Sequence, residues 1–124
     1  MSNTGPAIPD LEQIDGFMLR QLLESATDDE SRRELRQLCT DAVTTVSQRL
    51  AELAAGAEMP APGALARELH GMKGMLACVG LSGLAGGLAA MEATLARDRA
   101  VPREQFRRLH DALGPVGGRL LARL

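Results

Sequence analysis

The sequence predicts an all-α fold, an up-down four-helix bundle with an additional short N-terminal helix. Three observations lead there. Apolar residues make up 45% of the chain, and they are chiefly Leu, Ala, Met and Val, mostly good helix formers. Aromatic residues are confined to Phe17 and Phe106, so the core must be aliphatic. Apolar residues also recur at three- and four-residue steps in successive segments, the period of a buried helix face. The 124 residues suit one domain with a single modest core.

Residues 1–9, with Pro6 and Pro9, read as a flexible lead or linker, and residues 10–124 as the domain. A short first helix falls within 10–25, where Ile14, Met18 and Leu22 stand four apart with Leu19 and Leu23 beside them. Thr27-Asp28-Asp29-Glu30 fits a capping box, with Thr27 capping the Glu30 amide and Glu30 reaching back. The second helix that it opens carries Leu35, Leu38, Ala42, Val46, Leu50 and Leu53 on one stripe and ends near Gly56. Met59-Pro60-Ala61-Pro62-Gly63 is then a loop.

A third helix runs from about Ala64 to Val79 and stops at Gly80. Ser82 caps a fourth, which continues to about Arg97. After a turn at Asp98-Arg99-Ala100, Pro102 takes the first position of the last helix. That helix places Phe106, Leu109, Leu113, Val116, Leu120 and Leu124 on one face. Gly114-Pro115 interrupts it, and an internal proline costs a hydrogen bond and favours a kink. The bundle proper is residues 28–124, with the first helix packed over one end.

Charge and cysteine usage narrow the function classes. With 14 basic and 16 acidic residues there is no basic excess, and aromatic stacking platforms are missing, so nucleic acid is not indicated. Cys39 and Cys78 are not spaced as a metal pair and sit within apolar helical patterns, which predicts buried, reduced thiols. No signal peptide pattern opens the chain, and a cytoplasmic location is expected. Gly74 to Met91 carries no charged residue. Its many glycines and two amphipathic halves predict a buried helical hairpin rather than a membrane span.

The third helix carries the functional signal. Leu65, Leu69, Met72, Leu76 and Val79 define its buried stripe, and His70 lies roughly 140° from the centre of that stripe at ~100° per residue. The imidazole is therefore predicted to face solvent. Within about 60° of it on the same wheel lie Ala66, Arg67, Lys73, Gly74 and Ala77. Gly71 and Gly74 each cost a helix interior roughly 1 kcal/mol relative to Ala. A glycine one turn after the histidine leaves the ring edge open to a second macromolecule. A neutral imidazole is a competent nucleophile, and Lys73 can place an ammonium beside a phosphoryl group carried there. His110, next to the stripe residue Leu109, reads as a flanking histidine rather than a ligand.

His70-Gly71-Met72-Lys73-Gly74, with Gly80 ten residues past the histidine, resembles the H-x-L-K-G pattern of the histidine-containing phosphotransfer (HPt) family. Ala66-Arg67-Glu68-Leu69 before it, and Leu81-Ser82-Gly83-Leu84 leading to Met91-Glu92 after it, resemble the helix pair around that motif. The similarity covers residues 12–124. Two departures stand out: Met72 replaces the usual Leu, a volume-conserving change, and Met75 and Leu76 occupy positions where small residues are common.

The resemblance implies a phosphoryl carrier of bacterial two-component phosphorelays. His70 would accept the group from a receiver-domain aspartate, Lys73 would offset its charge, and Gly74 would give clearance. Ala66, Arg67, Gly71 and Ala77 would contact the partner, with first-helix positions such as Met18 or Leu22 also exposed to it. The partners implied are response-regulator receiver domains or a hybrid sensor kinase. Mg²⁺ would come from the receiver, so no cofactor and no ATP site of the chain's own is expected, and the chain is expected to be a monomer. The competing reading is a docking or regulatory module with the same fold and no productive transfer. A histidine kinase dimerisation domain is disfavoured, because Gly71 follows the histidine where such kinases usually carry an acidic residue.

Overall fold

Five helices follow one another in the computed structural model, which describes residues 10–124; the expected lead at 1–9 lies outside them. They are α1 (Gly16–Ser25), α2 (Asp29–Ala54), α3 (Pro62–Cys78), α4 (Ser82–Asp98) and α5 (Arg103–Ala122). No strand occurs among the described residues. The helices pair chiefly as α2 with α5 and α3 with α4. The Arg36 guanidinium near the start of α2 donates to the Leu121 carbonyl near the end of α5, so that pair runs antiparallel, as an up-down bundle requires.

Local sequence explains most helix ends. Asp15 caps α1 by accepting the Met18 amide at 3.1 Å. The helix α2 closes at Gly56, whose φ of +96° is a left-handed geometry that glycine adopts without steric cost, and the Ala57 amide reaches back to the Glu52 carbonyl at 3.0 Å. The end of α3 repeats that device. Gly80 has φ of +82°, its amide bonds the Ala77 carbonyl at 3.1 Å, and the Leu81 amide bonds the Leu76 carbonyl at 3.0 Å. This pairing is a Schellman motif, with Leu76 and Leu81 both fully buried. It splits the charge-free run 74–91 into a hairpin. Among the described residues no helix is long and apolar enough to cross a membrane.

Several expected details are corrected. Asp28, not Thr27, caps α2, accepting the Ser31 amide at 2.7 Å; these bonds hold the Asp28 carboxyl below its usual range. Glu30 is a first-turn acid, not the return arm of a capping box. Ser82 does not cap α4 either, since its hydroxyl turns to the Gln13 carbonyl and Leu81 occupies the cap position. Pro62 lies within the first turn of α3, two residues before the expected start, and Pro102 caps α5 from just outside it. Pro115 does not end α5, which runs on to Ala122. Asp111 and Pro115 both face solvent, where the carbonyl left without a partner is open to water.

The core follows the stripes of α2, α3 and α5 with two exceptions, whereas on the α1 pattern Leu19 is buried and Ile14, Met18, Leu22 and Leu23 are half-buried. In α2, Cys39 is fully buried, whereas Leu38 is 52% exposed; burial pushes the Cys39 thiol up. Cys78, by contrast, is exposed, so only one of the two thiols is sequestered as expected. On α5 Phe106, Leu109, Leu113, Val116 and Leu120 are buried, while Leu124 is half-buried beyond the helix.

The chain before α1 straps one end of the bundle. The Gly83 amide donates to the Gln13 carbonyl at 3.1 Å, and Arg119 donates to the Glu12 carbonyl at 3.1 Å. At Gly83 an added Cβ would overlap the Asp10 carbonyl oxygen, so only glycine lets the strap lie this close to α4.

Candidate functional site

Helical periodicity decides where His70 points. Leu65, Leu69, Met72, Leu76 and Val79 are all buried, at 0–6% exposure, which fixes the rotation of α3 about its axis. The His70 side chain is then left 73% exposed. Of the residues that depart from the motif, Met72 and Leu76 belong to this buried stripe, and Met75 is half-buried.

The rotation of α3 is reinforced on its flank. Arg49 of α2 donates to both carboxylate oxygens of Glu68, with Nη2 at 3.0 Å from Oε2, and also reaches Glu52 at 3.3 Å. The Glu68 hydrogen bond, against a smaller opposing effect of burial, holds Arg49 above the ordinary arginine range. Glu68, two residues before the histidine, is thereby committed to α2. A forked arginine–carboxylate pair is directional as well as attractive, so it resists turning of α3.

The groups around the imidazole come from two helices. Lys73, one turn along α3, places Nζ 2.8 Å from Oε1 of Glu92 on α4. The other oxygen, Oε2, lies 3.6 Å from Nδ1 of His70. This is an ion-pair separation once the ring carries charge, not a hydrogen bond. Because Nδ1 faces Glu92, the Nε2 edge is the one turned away toward solvent. Lys73 and Glu92 are 30% and 25% exposed, so water screens their attraction less than at an open surface. Oε1 of Glu92 is itself buried and has no aligned hydrogen bond. The nearby ammonium holds it by charge.

Clearance around the ring is built from small residues. A Cβ placed on Gly71 or Gly74 would meet no heavy atom within 4 Å, and both glycines are exposed. Arg67 and Ala77 are exposed and Ala66 is half-buried on the same helix, and Ala89 and Ala93 are exposed on α4 to either side of Glu92. His70, Lys73 and Gly74 are thus brought together. The expected first-helix contacts differ: Met18 and Leu22 are half-buried, and Phe17 is the large apolar side chain that α1 exposes. His110 is not part of the cluster; it is half-buried on α5 and lies 3.2 Å from Asp111. Among the described residues no three His, Cys, Asp or Glu side chains are grouped to hold a metal ion.

Glu92 is the site residue that sequence reasoning did not single out. A signal was present, since it is the one charged residue between Lys73 and Arg97. A lone carboxylate inside an Ala- and Gly-rich helix has a desolvation cost to offset, and a lysine on the neighbouring helix offsets it.

Chemically, the cluster presents an unhindered ring nitrogen with a cation and an anion behind it. A nucleophile so placed can take an electrophilic group from a large partner. Comparison with curated proteins and with solved structures gives no match. The profile of the family described as Hpt domain matches residues 18–116, from within α1 into the second half of α5. That span contains His70, Lys73, Gly74 and Glu92, and covers most of the chain. The protein therefore belongs to the Hpt domain family, the histidine phosphotransfer modules of phosphorelays.

Proposed function

We propose that this chain is a phosphorelay intermediate that accepts a phosphoryl group on His70 from a receiver-domain aspartate and passes it to another. The single observation that carries this reading is the exposed Nε2 edge of His70, with Lys73 and Glu92 behind it and the open backbone of Gly74 one turn away.

The step balances without a further reactant. The Nε2 lone pair attacks phosphorus in line as the bond from phosphorus to the aspartyl oxygen breaks, and the aspartate leaves as a carboxylate. Nδ1 keeps its proton, so the ring becomes cationic, and Glu92 beside it offsets that charge. Lys73 faces the incoming phosphoryl dianion. Gly74 and Gly71 let the partner's backbone approach, and Ala66, Arg67 and Ala77 line the contact. Return of the group to a second aspartate is the same step reversed. Because phosphoryl transfer depends mainly on positioning and charge, no nucleotide pocket is required. Hpt domains are phosphocarriers rather than kinases with their own ATP site, and the Mg²⁺ of the reaction belongs to the receiver.

Incubation with a phosphorylated receiver domain tests this. An acid-labile, base-stable adduct is expected on the wild-type chain and none on His70→Gln. Receiver binding without transfer to any receiver domain would instead make the chain a docking module.

A further inference from the structure

Lys73 cannot serve two anions equally, and the structure already gives it one. Its ammonium lies 2.8 Å from Glu92 Oε1, an oxygen buried from solvent with no aligned hydrogen bond. Moving the ammonium away would leave this buried oxygen without the charge that offsets its lost hydration, an unfavourable state for a carboxylate. The ring cation formed on phosphorylation faces the other oxygen, Oε2. The phosphoryl group, in contrast, arrives on the solvent side of the ring, where water and partner groups can solvate it. Competition for Lys73 is therefore biased toward Glu92.

We infer that Glu92 restrains Lys73, so that the ammonium stabilises phosphorylated His70 only in part and the phosphoryl group stays easy to give away. This rests on the phosphocarrier reading of His70 and assigns Glu92 as the positioning residue of the lysine. The unphosphorylated site is charge-balanced, with one ammonium against one carboxylate. Phosphorylation adds a dianion and a ring cation without adding a second ammonium. A lysine free to follow the phosphoryl group would deepen the phosphorylated state and slow onward transfer. A lysine held by a buried oxygen on α4 supplies attraction without release of its first partner.

A double-mutant cycle reads the restraint directly. Wild type, Lys73→Ala, Glu92→Gln and the double variant are phosphorylated with phosphoramidate, which needs no receiver, and the phosphohistidine lifetime and the equilibrium of transfer to a receiver are measured. Glu92→Gln keeps the side-chain size and removes its charge, and circular dichroism checks that each variant is folded. Lys73→Ala is expected to shift the transfer equilibrium about tenfold more in the Glu92→Gln background than in wild type, the size of a coupling between contacting charged groups. Equal effects of Lys73→Ala in both backgrounds would overturn the restraint while leaving the phosphocarrier reading intact. No adduct on the wild-type histidine under these conditions would overturn both.

Discussion

The amide of Asp15 donates to the carbonyl of Gly80 at 2.7 Å, tying the residue that caps α1 to the residue that ends α3. One hydrogen bond thus joins the start of the short helix to the turn below the histidine helix. The entry of α1 and the termination of α3 are two sides of one junction, and the geometry of each depends on the other.

Gly80→Ala tests that junction. The added Cβ would lie 3.4 Å from the Asp15 carbonyl oxygen, an ordinary contact, so the cost comes from forcing a side chain into φ of +82°. The expected loss is about 1–2 kcal/mol of stability, read from urea melts followed by circular dichroism. An unchanged midpoint would mean that the turn relaxes to another conformation.

Gly74 separates stability from function. Alanine there meets nothing within 4 Å and removes a flexible residue from an exposed helix interior. Gly74→Ala should therefore stabilise the fold by up to about 1 kcal/mol. Transfer from a phosphorylated receiver should nevertheless slow, and slow further in Gly74→Gln, because the partner needs the open backbone. A glutamine variant that transfers at the wild-type rate would remove the clearance role.

The two thiols should behave differently. Cys78 is exposed, whereas Cys39 is fully buried with its thiol pushed up by burial. Native protein is expected to incorporate one equivalent of a thiol reagent quickly, at Cys78, and a second only on unfolding, as peptide mapping would show. Rapid labelling of Cys39 in the folded state would contradict the packing of α2.

Asp28 carries a pH dependence whose sign follows from its cap. Its carboxylate accepts the Ser31 amide, which lowers its folded-state pKa. The unfolded state therefore takes up the proton first as pH falls, and the stability that the cap contributes is lost as pH drops through the folded value. Thermal melts should show Asp28→Ala below wild type near neutral pH, with the gap closing under acid. Asp28→Asn, a neutral cap, should show no such acid-linked change at this position. A gap that persists unchanged into strong acid would contradict the assignment.

Much of the site was legible in the order of residues because a helix is a local object. Once Leu65, Leu69, Met72, Leu76 and Val79 mark the inward side of α3, the direction of His70 follows from 3.6 residues per turn. The positions of Lys73 and Gly74 follow with it. The left-handed stops at Gly56 and Gly80 were visible for the same reason. Errors began where two neighbouring residues competed for one role. Asp28 rather than Thr27 took the cap through a local bond from the Ser31 amide. Cys39 rather than Leu38 took the core, since adjacent residues on a helix point about 100° apart and packing across the bundle decides which of them is enclosed.

From sequence alone came the helical class, the five segments and an outward-facing histidine with its lysine and glycine. All of these depend on periodicity and backbone preference within about two turns of chain. Only the tertiary structure brought Glu92 of α4 to the Lys73 ammonium, committed Glu68 to Arg49, and laid the Asp10–Gln13 strap against Gly83. Those choices depend on how far one helix slides and rotates against another, which is set by close packing of side chains distant along the chain.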